Sequence, residues 1–364
     1  MNHSTELSYV KFPAKIKEEM SMKKISCLFL SLVVLASALG LAGCGKSTSP
    51  EPAKTAAPAA SITMKLGHFA NATHPGNLAA KQFAENVEKR TKGAIKISVY
   101  PDNQLGSPPE LLEQNILGAI DMSLGTQGSL DKYSKKFAAV MLPFIFKDYA
   151  HAYKVLDGPF MKWAAPDLEK HGLVFLANWE YGFRNLTNNA RPIEKPDDVK
   201  GLKLRTPPEI QLQSAMEALG GNVTKIAFPE LFMALKQGVV DGQENPLAVI
   251  YFNKYYEAQK YLAITNHVYN SMVHVISKKV WDKLTPEQQK IIKEESIAAG
   301  AMMRKQIQAE EKDLIKKLEE KGMKVTYPNQ AEFKAKMKPA YDKIATYAGK
   351  ENVDTFVKMA EETK

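Results

Sequence analysis

From residue 61 onward the chain alternates between two apolar periods. Positions 62–66 and 95–99 alternate apolar and polar residues, the period of a half-buried strand. Between them, Ala79, Phe83 and Val87 fall on one face of a helix predicted over 75–90, with Gly93 just beyond its end. Ser107-Pro108-Pro109-Glu110 has the composition of a capping box and predicts a helix starting there. Apolar runs at 120–124 and 173–177 predict buried strands. The same grammar returns at 202–205, a short strand. It runs into Thr206-Pro207-Pro208-Glu209, which predicts a second capped helix ending near Gly220-Gly221. A further helix is predicted over 229–237. Thr285-Pro286-Glu287-Gln288 opens a helical pattern reaching toward Gly322, about 36 residues or roughly 54 Å. Such a helix exceeds one small lobe and predicts a brace across two, with Gly300 inside it at a cost of about 1 kcal/mol relative to Ala. The β-α-β-α order predicts an α/β protein of mainly parallel sheets with helices on their faces. No internal repeat is evident.

The first 60 residues follow a different rule. Lys23-Lys24 precede an apolar stretch over 25–41, which ends in Leu41-Ala42-Gly43-Cys44. This is a secretory leader, and its final tetrapeptide resembles the bacterial lipobox, whose Cys is acylated and becomes residue one. The apolar run is short for a membrane span. Residues 20–43 are therefore expected to be removed and Cys44 lipidated, with 44–60 (rich in Ala, Pro and Ser) as a flexible tether. Residues 1–19 do not belong before such a leader, and translation is expected to start at Met20 or Met22. The location implied is extracytoplasmic, anchored to a membrane through the lipid on Cys44.

Of the 364 residues, 45% are hydrophobic and 24% charged, ordinary values for a globular protein with a substantial core. The formal net charge of +9 contains no dense basic block, which argues against nucleic-acid binding. Cys27 and Cys44 both precede the folded part, so the body has neither disulfides nor a thiolate nucleophile. Six histidines lie in the folded part (His68, His74, His151, His171, His267 and His274). They are spaced unlike zinc ligands, and no HExxH, GxSxG or Walker A motif occurs. No cofactor or metal is called for, and no catalytic residue is assigned.

Three features carry candidate chemistry. Arg205 ends a predicted strand just before a predicted helix start, where a guanidinium and unpaired N–H groups would together hold a carboxylate. Arg184 lies in the aromatic stretch Trp179-Glu180-Tyr181-Gly182-Phe183-Arg184, which would give apolar walls and a desolvated charge. The run 240–246 clusters polar groups at a predicted turn, where Asn245 can donate and accept at once. Gly125-Thr126-Gln127-Gly128-Ser129 follows a strand and lacks the lysine of a phosphate loop; it is expected to line a cleft.

These segments resemble the substrate-binding proteins of TRAP transporters, the DctP-type family. The resemblance rests on Tyr100–Gly106, Gly118–Met122, Tyr181–Asn188, Gly201–Arg205 and above all Phe228–Pro246. It implies a two-lobe periplasmic-binding-protein-like α/β fold, with a long helix bridging both lobes and hinge closure on ligand. The lobes implied are 61–183 plus about 271–310, and 184–270 plus about 311–364. Arg205 then matches the carboxylate-clamping arginine, Arg184 a second cleft arginine, Asn245 a hydrogen-bonding partner of the same carboxylate, and Phe228 an aromatic wall. Phe69, Thr126, Gln127, Trp179 and Tyr181 are expected as further lining. Sialic-acid-binding relatives hold Glu and Asn where this chain has Thr126 and Phe69, which argues against that ligand. The implied function is capture of a small organic acid (a dicarboxylate, keto or hydroxy acid, or sugar acid) and delivery by a monomeric binding protein to the small and large TRAP membrane subunits. A binding lipoprotein of an ABC importer, a hydrolase acting on a small acid and a ligand-sensing lipoprotein remain as alternatives.

Overall fold

The structure is a computed structural model that describes residues 61–363; the leader, the lipobox Cys44 and the tether lie outside the described residues. Among the described residues there are nine strands: β1 (Ile62–His68), β2 (Ile95–Tyr100), β3 (Met122–Thr126), β4 (Leu173–Asn188), β5 (Lys203–Thr206), β6 (Asn222–Lys225), β7 (Gly242–Pro246), β8 (Tyr261–Ser277) and β9 (Lys324–Thr326). They join in the order β2-β1-β3-β8-β4-β7-β5-β6, with β9 beside β8. The outer strands are parallel, as crossover connections require. The centre is antiparallel, because β4 and β8 are long and run the full width of the sheet against each other. The expectation of mainly parallel sheets therefore holds only on the flanks. Alternation could not reveal the full length of β4: nearly every residue from Leu173 to Asn188 is buried, polar ones included.

Each half of the fold is closed by the same device. Asp121, just before β3, accepts the Lys65 backbone N–H at 2.7 Å; Asp241, just before β7, accepts that of Lys203 at 2.8 Å. Both follow a glycine three positions earlier, Gly118 at φ 79° and Gly238 at φ 69°, which turns the preceding helix into the strand. A short repeat, Gly-x-x-Asp, thus sits in corresponding places of the two halves, where the sequence showed no obvious periodicity. A mixed α/β architecture of two lobes follows, with β4 and β8 shared between them.

The long helix spans Pro286–Glu320 and starts as the sequence predicts: Thr285 Oγ1 accepts from Gln288 N at 3.2 Å, and Gln288 Oε1 accepts from Thr285 N at 3.0 Å. It lies against the middle of β4. A Cβ on Gly300 would stand 2.9 Å from both the Asn178 carbonyl oxygen and Trp179 Cδ1, so the glycine exchanges helix propensity for close approach to the strand. Ser296 on the same face meets the Nδ1 of His274 at 2.7 Å and the indole N–H of Trp179 at 3.3 Å, tying the helix to both long strands. In the same central region the β4–β8 register shifts between Glu180 and Gly182 and again between Arg184 and Leu186. Glu180 is buried there, accepting from Tyr269 Oη at 2.9 Å and from Tyr153 Oη; burial pushes its carboxyl up to about 7.

Two expectations are corrected. The segment around 240–246 is not a turn; its second half is β7, buried between β4 and β5. Its polar side chains are buried because each finds partners, and Gly242 is required because a Cβ there would lie 2.1 Å from the Thr187 carbonyl oxygen. The second capped helix does not begin at Thr206. Thr206 completes β5, and the helix runs only over Ile210–Ala218.

Candidate ligand-binding site

The short strand β5 carries Arg205 between Thr224 of β6 and Gln243 of β7. Its side chain is buried, at 1% exposure, and its Nε donates to the Ile226 carbonyl at 2.9 Å. Its Nη2 has no partner, and among the described residues no carboxylate lies within ion-pair distance. Burial pulls its pKa below the ordinary arginine value, with Tyr255 and Glu244 opposing. A buried guanidinium without a counter-charge is costly unless something supplies the anion.

Arg184, on β4, is held differently. Its Nε and Nη2 engage both oxygens of Glu244, the Nη2–Oε1 contact being 2.8 Å. Nη2 also donates to the Glu244 carbonyl at 2.7 Å and to Asn245 Oδ1 at 3.2 Å. Burial alone would raise the Glu244 carboxyl, yet the Arg184 charge and the His267 contact hold it below the usual range. His267, kept low by burial, meets Glu244 at 3.3 Å and Thr265 at 2.8 Å. Asn245 is fixed in turn, accepting from Tyr181 Oη at 3.1 Å and donating to Gln243. This chain of paired groups orients the polar wall of the site and leaves Asn245 one amide N–H uncommitted.

Arg205, Arg184, Asn245, Tyr181, Phe69, Phe228 and Thr126 all line one cavity of about 90 Å³, room for several water-sized groups. Phe69 packs edge-on to Tyr181 at 5.1 Å and to Phe228 at 5.3 Å, forming a continuous aromatic wall. Two expected lining residues lie elsewhere. Trp179 is wholly buried behind the wall, against Phe83, His274 and the long helix. Gln127 is also wholly buried and does not reach the lining.

Sequence reasoning missed Glu209, because the string Thr-Pro-Pro-Glu reads as a helix start. Its side chain instead leaves the helix and accepts from Thr126 Oγ1, with Ser129 Oγ at 3.4 Å. Burial pushes its pKa upward, against the Thr126 hydrogen bond. Glu244 was also missed as the counter-ion of Arg184. The cue was present, since β4 and β7 place Arg184 and Glu244 close in register, but it becomes readable only once the pairing is known.

The cleft geometry, with buried arginines at the meeting of a two-lobed α/β sheet, is that of a solute-binding protein. The chain belongs to the DctP family, bacterial extracellular solute-binding protein family 7, whose model matches residues 66–347. It is 33% identical over 301 residues to the sialic acid-binding periplasmic protein SiaP of Vibrio cholerae, covering 82% of this chain and 94% of that protein. The sugar acid binding protein DctPAm of Advenella mimigardefordensis, solved with galactonate, superposes with a TM-score of 0.80 at 32% identity, covering 84% of this chain and 99% of its own. A TRAP periplasmic solute-binding protein of Polaromonas, bound to D-erythronate, gives 0.78 at 34% identity, with coverages of 82% and 98%. These relatives are solute-binding proteins.

Proposed function

We propose that this chain captures a small organic acid in the cavity around Arg205 and delivers it to the paired membrane subunits of a TRAP transporter. One observation carries the reading: Arg205 is buried on the cavity wall with Nη2 unpartnered and no carboxylate of its own. A ligand carboxylate supplies the missing charge and acceptor, and a low-dielectric cavity strengthens that contact. Asn245 hydrogen-bonds the same carboxylate, Arg184, itself neutralised by Glu244, holds Asn245 in position beside it, and Phe69, Tyr181 and Phe228 cover the apolar part. Galactonate and D-erythronate, bound in two similar proteins, each carry one carboxylate, the group that Arg205 is left to receive.

Capture works by closure. One lobe comprises 61–183 with about 271–310, the other 184–270 with about 311–364, and β4 and β8 flex near their register breaks. The C-terminal segment spans this division: Phe356 packs edge-on to Phe160 at 5.5 Å, while Tyr341 donates to the Pro143 carbonyl at 2.8 Å. It therefore acts as a strap between the lobes. The protein works outside the cytoplasm as a monomer, tethered through lipidated Cys44 after removal of 20–43. No chemistry is performed on the ligand.

A thermal-shift screen across organic acids and matched neutral sugars tests the reading. At a hundredfold excess over Kd a bound ligand adds about 2.7 kcal/mol of stability. At least one acid is expected to raise Tm by several degrees, with the neutral analogues inert. A panel in which neutral sugars alone raise Tm contradicts it.

A further inference from the structure

Two charged side chains on the cavity wall each keep a buried polar atom without a partner: Arg205 through Nη2 and Glu209 through Oε2. The other charges of the site are paired, Arg184 with Glu244. Glu209 is only 4% exposed. The seat for its carboxylate depends on one missing atom, since a Cβ on Gly128 would fall 2.3 Å from Oε2 and 2.5 Å from Cδ. The residues that hold Glu209, namely Thr126, Gly128 and Ser129, come from the end of β3 and the loop after it. Arg205 sits on β5 between β6 and β7, and its Nε is held by the Ile226 carbonyl just after β6. The two groups therefore rest on separate elements of the cavity wall.

We propose that Glu209 is a specificity-determining residue: it accepts a hydrogen bond from a hydroxyl of the bound acid and repels a second carboxylate, so that the ligand class is polyhydroxylated monocarboxylic acids and not dicarboxylic acids. This rests on the reading of Arg205 as the carboxylate anchor. An ionised carboxylate is acceptor-only, so it is satisfied by a ligand O–H and has nothing to offer another carboxylate. The charge balance points the same way. With Arg184 and Glu244 cancelling, the wall offers one cation and one anion. A monoanion meets Arg205 and presents hydroxyls to Glu209. A dianion brings its second charge toward Glu209 in a buried site, where like charges repel strongly.

Titration calorimetry on the purified protein with D-galactonate, D-erythronate, succinate and malate tests this. The unaltered protein is expected to bind the better hydroxy-monoacid at least about tenfold more tightly than either diacid. Glu209→Gln is expected to weaken hydroxy-acid binding about tenfold while strengthening diacid binding. Glutamine keeps a carbonyl oxygen for Thr126, so a merely structural role would move both classes in the same direction. Diacids binding as tightly as the hydroxy acids to the unaltered protein would overturn the proposal even if the variant failed to fold, as would equal shifts for both classes in Glu209→Gln. Arg205→Lys separates the two readings. Acid binding that is indifferent to it overturns the anchor, whereas loss of binding in Arg205→Lys with no class preference overturns only the role of Glu209. Absence of binding by all four acids overturns both.

Discussion

Arg205→Lys is expected to weaken acid binding tenfold or more, and Arg205→Ala about a hundredfold, in titration calorimetry of the purified protein. The Nε–H of Arg205 is committed to the Ile226 carbonyl at 2.9 Å, and that bond sets the plane of the guanidinium. The unpartnered Nη2 is the edge left for the ligand. Lysine keeps the charge but has no planar fork, so it cannot hold the carbonyl and a carboxylate in one fixed geometry. The same variants carry a second signature. Because the guanidinium is buried without a counter-ion, Arg205→Ala is expected to leave the ligand-free protein no less stable, by denaturant titration. A loss of several kcal/mol together with unchanged affinity would make Arg205 a structural residue.

Glu244→Ala is expected to do the reverse and destabilise the fold by about 3–5 kcal/mol in denaturant unfolding. Glu244 is fully buried and accepts two contacts from Arg184 as well as one from His267. Its removal strands the buried Arg184 charge beside a neutral imidazole without its counter-ion. The loss follows from breaking a buried pair, which costs far more than forming one contributes. Stability within about 0.5 kcal/mol of the unaltered protein would mean that Arg184 finds another partner or a route to solvent. The two buried arginines thus separate by experiment. One is neutralised by the protein and supports the fold; the other is left for the ligand.

Local sequence was a good guide where local physics decides. The caps at Ser107 and Thr285, the helix Pro75–Arg90 and the long bridging helix all follow from residue order, since capping and helical periodicity act within a few residues. It was a poor guide where tertiary partners decide. Two nearly identical strings, Ser107-Pro-Pro-Glu110 and Thr206-Pro-Pro-Glu209, have opposite fates. Glu110 turns back to the Ser107 N–H three residues before it at 2.7 Å, whereas Glu209 accepts from Thr126, 83 residues earlier in the chain. Nothing within either tetrapeptide separates the two outcomes. β7 read as a turn because buried strands are expected to be apolar, and its Gln243-Glu244-Asn245 core is polar and fully partnered. Trp179 and Tyr181 are two residues apart on one strand, yet one faces the long helix and the other the cavity. The register shift between Glu180 and Gly182 turns the chain between them.

The anchor is tested most directly by a crystal structure of the protein with the tightest-binding acid from the thermal screen. The carboxylate is expected to lie about 2.7–2.9 Å from the Arg205 guanidinium nitrogens, with Asn245 beside it and a ligand hydroxyl at Glu209. An acid bound outside this cavity, or one that turns its hydroxyls to Arg205 and its carboxylate away, would contradict the account.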